Sequence, residues 1–224
     1  IDGEFEDWVD VAASVIDDNG DGSGAVDFTR MWLADDDRFL FVRIESTVDF
    51  DLSDDNNILL YIDTDANAAT GIKVGGIGAE LEWRLGNRWG TFIHNGNSTT
   101  IYNNSIRFRG APTVTSSEFE MAVGRDMLPD DSNPLFTGTE IRVLIVDTDS
   151  GDMIPNAGTT VSYTLDEWSV PPASPVAFER PSPSNLRVVT HNILSNRLFD
   201  KQYQQSFKRL YTAVSPDIFH LQEL

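Results

Sequence analysis

The sequence contains no cysteine, so no disulfide can staple a loop and no thiolate can act as nucleophile or metal ligand. It has no apolar run approaching the roughly 18 residues that a transmembrane helix needs. Basic residues are scarce: 16 Lys and Arg face 36 Asp and Glu, for a net charge of −20. That scarcity is local, because residues 1–168 carry 32 acidic and 10 basic side chains while 185–224 carry 3 and 5. So acidic a surface repels nucleic-acid phosphate and anionic membranes, which excludes the first region as the grip for either. Helical periodicity is missing too, since no stretch before residue 195 repeats apolar residues at steps of three and four for three turns.

What the first region does have is short alternating runs at intervals of about 10 to 20 residues. They cover 29–34, 39–45, 58–63, 80–85, 89–94, 105–109, 119–123, 140–147 and 160–165. Phe39-Leu40-Phe41-Val42-Arg43-Ile44 and Leu81-Glu82-Trp83-Arg84-Leu85 show the alternation most clearly. A mainly β fold follows, an antiparallel β-sandwich of eight or nine strands over residues 1–168.

Three loops in this region place oxygen-bearing residues at every second position: Asp17-x-Asn19-x-Asp21-Gly22, Asp63-x-Asp65-x-Asn67 and Asp147-x-Asp149-x-Gly151-Asp152. A curved loop turns such residues toward one centre, as calcium requires. The same residues also form turns by bonding their own backbone, so each loop reads either way. None is an EF-hand, because the twelfth position from Asp17 is Phe28 rather than Glu. Calcium is expected first at Asp17, Asn19 and Asp21 or at Asp63, Asp65 and Asn67. For a sugar, the stacking candidates are Trp83, Trp89, Tyr102 and Trp168, although an aromatic in a strand, such as Trp83 or Trp89, more often packs a core or a neighbouring strand.

The opening Asp2-Gly3-x-x-x-Asp7-Trp8, then Trp32-x-Ala34-x-Asp36-Asp37-x-x-Leu40-Phe41-Val42, Tyr61-Ile62-Asp63-Thr64-Asp65-x-Asn67-x-x-Thr70-Gly71, Ile77-Gly78-Ala79-Glu80 and Pro155-Asn156-x-Gly158 resemble bacterial sandwiches related to carbohydrate-binding module family nine. Over about 165 residues this resemblance implies the sandwich fold and, more weakly, glycan binding.

Five of the ten prolines fall within residues 170–184, so residues 169–184 read as an extended, semi-rigid linker between domains. Beyond it, Leu186–Leu194 is an apolar β-branched run ending in polar residues, as a buried parallel strand does. Phe199, Tyr203, Phe207, Leu210, Tyr211 and Val214 form a helical stripe, Ser215-Pro216-Asp217 breaks it, and Ile218–Leu221 is a second strand. Strand, helix and strand form an incomplete α/β piece over 185–224. A right-handed crossover would set both carboxyl ends on one sheet edge, where Asn192 and Glu223 can meet.

The Thr190-x-Asn192-Ile193 strand, Arg209-Leu210 and Pro216-Asp217-Ile218-x-x-Leu221-Gln222-Glu223 resemble the opening of the endonuclease/exonuclease/phosphatase superfamily. The resemblance implies that Glu223 ligates a catalytic magnesium or manganese ion, with Asn192 supporting the scissile phosphate and the carboxylate. A hard divalent ion suits carboxylate oxygen and activates water against a phosphoester. The family's later Gly-Asp-x-Asn and Ser-Asp-His motifs are absent from these 224 residues, so the chain alone is expected to be inactive. His191 stands where the family more often has an aromatic residue.

Two functions thus compete. One is the first part of an exported, secreted or periplasmic phosphoesterase acting on nucleic acid, phospholipid or a small phosphate ester, with the sandwich as an accessory. Ile1 in place of Met fits either a processed amino terminus or a trimmed chain. The other is a noncatalytic sandwich that binds glycan or protein. In either case two parallel strands and one helix leave a sheet face bare, so the apolar side chains of 186–224 are expected to be covered by the sandwich, a second copy or the rest of an enzyme.

Overall fold

Alternation of apolar and polar residues becomes sheet in the computed structural model, which describes residues 1–17, 20, 26–54, 56–166, 180, 182–194 and 197–223. The chain divides into two units, Ile1–Val170 and Pro171–Leu224. In the first, the strands are β1 (Val15–Ile16), β2 (Phe28–Asp35), β3 (Phe39–Phe50), β4 (Ile58–Asp63), β5 (Ile72–Val74), β6 (Ile77–Ala79) and β7 (Leu81–Arg84). They continue as β8 (Trp89–His94), β9 (Asn97–Tyr102), β10 (Arg109–Ala111), β11 (Ser116–Gly124), β12 (Glu140–Asp147), β13 (Met153–Ile154) and β14 (Ser162–Thr164), with one short helix, α1 (Asn103–Ile106), after β9.

One sheet has the order β1-β2-β3-β11-β10, and the other β13-β12-β4-β7-β8-β9 with β14 also on β12. The pairings within both are antiparallel. The fold is therefore a β-sandwich, but with more strands than the eight or nine expected. The additions are mostly strands of two or three residues, too short to show a period of two, and the polar β9.

Alternation decides which side chains enter the core. Met31, Leu33, Leu40, Val42, Phe119 and Met121 from the first sheet meet Leu60, Ile62, Trp83, Phe92, Val143 and Ile145 from the second. Each such side chain, fully buried, contributes about 1.5–3 kcal/mol. The opposite face of the second sheet is covered in part by the β5–β6 hairpin, through Ile77 and Ala79 against Leu59, Tyr61, Leu144 and Val146.

The outer face of the first sheet is closed by the chain's first residues. Glu120, buried on β11, accepts hydrogen bonds from Asp2 N (2.6 Å), Gly3 N (2.8 Å) and the Trp8 indole (3.1 Å). Beside it the Arg43 guanidinium lies between the rings of Phe5 and Trp32, at 4.8 and 4.2 Å from their centroids. The two sheets are also joined by a buried clasp. Asp35, at the end of β2, pairs with Arg125 and accepts hydrogen bonds from the Tyr163 hydroxyl of β14 (2.7 Å) and from Asp166 N (3.1 Å).

In the second unit, β15 (Val188–Asn192) and β16 (Ile218–Gln222) pair in parallel, joined through a turn at Arg197–Phe199 and α2 (Lys201–Val214). Tyr211 on α2 packs edge-on against Phe219 (4.8 Å), and Phe207 lies against His191 (5.6 Å). Within this unit Ile193 is buried, whereas Val188 is 56% exposed and Ile218 and Phe219 each 46%. The helix covers one face of the two-stranded sheet, the one on which Phe219 meets Tyr211.

Candidate functional site

Strand β4 sends Ile58, Leu60 and Ile62 into the core, so Asp63 emerges on the opposite side with Leu59 and Tyr61. There the chain turns sharply. Asn67 N donates to Asp63 Oδ1 (3.0 Å) and Asp65 Oδ1 (2.9 Å), Ala69 N to Asn67 Oδ1 (3.0 Å), and the Thr70 hydroxyl to Asp65 (3.2 Å). These bonds are the turn-forming use of Asp and Asn. The loop then lies directly on the backbone of β6, where a Cβ on Gly78 would stand 2.4 Å from Thr70 O and 2.6 Å from Asn67 O. Only glycine fits there.

The register of β4 against β7 ends at Ile62 opposite Leu81, so one further step sets Glu80 across from Asp63. Carboxylate oxygens of Asp63, Asp65 and Glu80 lie within 4.8 Å of one another. Asp63 is fully buried, Glu80 is 8% exposed, and Asp65 is the most open of the three. Glu80 Oε2 accepts from Thr64 N (2.9 Å) and from the Thr64 hydroxyl (3.3 Å), whereas Glu80 Oε1 is buried with no hydrogen-bond partner. Arg142 Nη1 approaches Asp63 Oδ2 at 3.3 Å. The neighbouring buried acid differs, because Glu82 pairs with Arg84 (2.6 Å) and accepts from the Tyr61 hydroxyl (3.2 Å).

Burial pushes the Glu80 and Asp63 carboxyls above their usual values of 4.5 and 3.8, only partly offset by the Thr64 bonds at Glu80 and by the Gly78, Asn67 and Arg142 contacts at Asp63. Folded protein therefore binds more protons than unfolded chain just above those values, and these groups' contribution to stability falls as pH rises through that window. Asp130 and Asp217, near the surface and held below the usual range by Asn133 and Arg180, act with opposite sign and only at lower pH. In chelator, the chain should melt at a higher temperature near pH 5 than at pH 7.5, and Glu80→Gln should reduce the difference. Equal slopes for the two proteins would show that Glu80 carries no such burden.

The triad opens on a cleft of about 540 Å³. Its walls are the Thr64–Thr70 loop, the turn after β8 with His94 and Asn95, and the segment from Pro134 to Thr137, and its floor includes Phe92 and Leu135. The floor is apolar and the rim polar.

Other candidates fall elsewhere. Asp17 is buried and accepts from Asn156 Nδ2 (2.5 Å), while Asn19 and Asp21 lie outside the described residues. Asp147 accepts from Asp149 N (3.1 Å) and Ser150 N (3.2 Å), and Asp152 accepts from Phe28 N (2.6 Å), tying that third loop to β2. Among the aromatics, Trp83 is fully buried against Phe108 and Trp89 lies under Arg84 at 4.7 Å. Tyr102, opposite Trp89 in register, is 63% exposed, and Trp168 lies outside the described residues.

In the second unit, Asn192 Nδ2 donates to Glu223 Oε1 at 2.8 Å. Asn192 Oδ1 accepts from Leu194 N (3.0 Å). Leu194 and Glu223 both adopt positive φ, +48° and +54°, so both strands leave this edge through backbone that L residues rarely adopt.

Sequence reasoning took Glu80 as the start of a strand and as the end of the Ile77–Glu80 phrase, not as a partner of Asp63. The signal was the register itself, which puts an acid opposite Asp63 at the same strand end. The side-chain oxygen of Asn67 accepts from Ala69 N within the loop.

No family model matches the chain, and no curated protein matches it in sequence. Among solved structures, a carbohydrate binding module family 9 domain from Caldicellulosiruptor kristjanssonii, in complex with cellotriose, is 14% identical. The match spans 72% of this chain and 77% of that one, with a TM-score of 0.38.

Proposed function

We propose that the sandwich is a noncatalytic binding module for a hydroxyl-rich ligand, an oligosaccharide, held in the cleft between the Thr64–Thr70 loop and the His94–Asn95 turn. The lining of that cleft carries the reading: hydroxyls, an amide, an imidazole and carboxylates converge above an apolar floor, in a volume within the roughly 300–1,000 Å³ of small-molecule sites. The acidic surface disfavours phosphate-rich ligands, and a neutral polyol meets no such repulsion. Calorimetric titration of the 224-residue chain with soluble glucan, xylan and chitin oligosaccharides should reveal one that binds. His94→Ala with Thr137→Ala should weaken it about tenfold or more, as loss of one or two hydrogen bonds implies, and Tyr102→Ala should leave it unchanged. Binding to none of these sugars, or binding lost in Tyr102→Ala alone, would overturn the cleft as the site.

A second reading concerns residues 185–224. The Asn192–Glu223 hydrogen bond at the carboxyl edge of a parallel strand pair supports reading them as the opening of a metal-dependent phosphoesterase domain, to which the sandwich would be the accessory. Glu223 would hold magnesium or manganese, which lowers the pKa of bound water and polarises a phosphoryl oxygen. Asn192 fixes the carboxylate's orientation from the adjacent strand. Nucleic acid, phospholipid and small phosphate esters all present the same phosphoester to such a site.

A further inference from the structure

We infer that Asn95 is a site of spontaneous covalent modification, losing its side-chain amide through a cyclic imide to leave aspartate and isoaspartate at the rim of the cleft. The chain contains two Asn-Gly pairs, Asn19-Gly20 and Asn95-Gly96. Glycine after asparagine matters because the reaction begins when the glycine nitrogen attacks the asparagine Cγ, and glycine brings no side chain to obstruct it. The structure makes the two pairs unequal.

Gly20 N donates to both carboxylate oxygens of Asp27, each at 3.0 Å, and Asp27 is buried. A nitrogen so held must break a charge-assisted hydrogen bond before it can attack, and the adjacent carboxylate opposes loss of its proton. Gly96 differs on each count. Its N–H meets no acceptor among the described residues, and the position a Cβ would take has no atom within 4 Å. Asn95 and Gly96 lie between the closing pair His94 and Asn97, with φ of +49° and +78°, a type I′ turn. Both are exposed, and the Asn95 amide bonds its own neighbour, donating to His94 Nε2 at 2.9 Å, so it moves with the turn. Little packing opposes that motion, since within β9 Ile101 alone is buried.

Gly96 N gives its proton to solvent and attacks Asn95 Cγ. The new N–Cγ bond closes a five-membered ring as the Cγ–Nδ2 bond breaks, and Nδ2 leaves as ammonia with a proton taken from solvent. Water then opens the ring. Attack at Cγ gives aspartate, and attack at the main-chain carbonyl gives isoaspartate, in which the chain runs on through Cβ and Cγ. Either product adds a carboxylate to the cleft that Asp65 and Glu80 already line. Isoaspartate also lengthens by one carbon a turn whose register depends on its two residues, so β9 loses pairing with β8 next to the turn. On the cleft reading of function, on which this consequence rests, the modification is a timer on sugar binding.

The 224-residue chain is incubated at 37 °C and pH 8, folded and in urea, and its tryptic peptides are followed by mass spectrometry with fragmentation to place the exchange of NH₂ for OH. In the folded chain Asn95 should convert at least about tenfold faster than Asn19, the rate cost of breaking the hydrogen bond to Asp27. In urea the two rates should converge. Asp27→Ala should bring Asn19 up toward the rate of Asn95, with circular dichroism confirming the fold. Equal rates in the folded chain, or Asn95 intact when folded while it converts in urea, overturns the inference. The isoaspartyl product, separated by charge, should exchange its amide hydrogens faster at Ser98 and Thr99 and bind the sugar at least about tenfold more weakly than fresh protein. Unchanged sugar affinity in that product overturns the timer and leaves the modification. No sugar bound even by fresh protein overturns the cleft reading and the timer together, and leaves Asn95 as the modified residue.

Discussion

Asp35→Ala should lower the stability of the chain by about 3–5 kcal/mol, the usual result of removing one partner from a buried ion pair. The Asp35 side chain is 1% exposed and that of Arg125 7%, so the guanidinium left behind cannot reach solvent. It keeps hydrogen bonds to the carbonyls of Asp36 (2.5 Å) and Asp166 (2.7 Å) but loses its counter-charge. The Tyr163 hydroxyl loses its acceptor at the same time. In a chain of this length the loss should appear as a fall in melting temperature of roughly 6–20 °C. Asp35→Leu with Arg125→Met should recover much of it, because an apolar pair carries no desolvation cost. A fall below about 1 kcal/mol for Asp35→Ala, read from urea unfolding, would show that the sheets are held together without the clasp.

Glu223→Gln carries the largest expected effect on chemistry. On the phosphoesterase reading proposed above, the substitution would replace a charged metal ligand by one neutral amide oxygen in a protein that carries the full set of that superfamily's motifs. Turnover should fall on the order of 100- to 1,000-fold, equivalent to the several kcal/mol that a correctly held metal contributes to the transition state. Manganese affinity should fall with it, while the melting temperature stays nearly constant because Glu223 is exposed. Asn192→Ala should lower turnover more than it raises KM, since it positions the carboxylate through the 2.8 Å bond. Unchanged manganese affinity and turnover in Glu223→Gln would remove the residue from any metal site.

The strands legible in advance were those whose apolar runs of six to eight residues enter the core. Ile58–Asp63, Trp89–His94 and Glu140–Asp147 have the ends that their patterns imply. The stretch 105–109 misled, because Ile106 and Phe108 mimic a strand's alternation while Asn103–Ile106 is a helical turn that ends at Arg107 with φ +52°. Strand β9 was invisible for the opposite reason: of Asn97–Tyr102, only Ile101 is buried, so a polar ribbon is held in place by its pairing with β8. At the candidate site, the Asp63–Asp65 loop could be read as a run of oxygens. Glu80 could not, because its place beside Asp63 depends on the pairing of β4 with β7 across an intervening hairpin.

Strand β3 is paired on one side by β2, a near neighbour in the chain, and on the other by β11, whose first residue is Ser116. During synthesis at about 5–20 residues per second, that second edge therefore waits on the order of 3–13 s for its partner. Glu120 and Arg125 emerge only after that interval, so the strap over the first sheet and the clasp to the second cannot form earlier. The nascent chain meanwhile displays Val42 and Ile44 without Met121 and Phe119 beside them and without Val143 and Ile145 of the facing sheet. The chain's net charge of −20 opposes association of like chains, in the incomplete state as in the folded one.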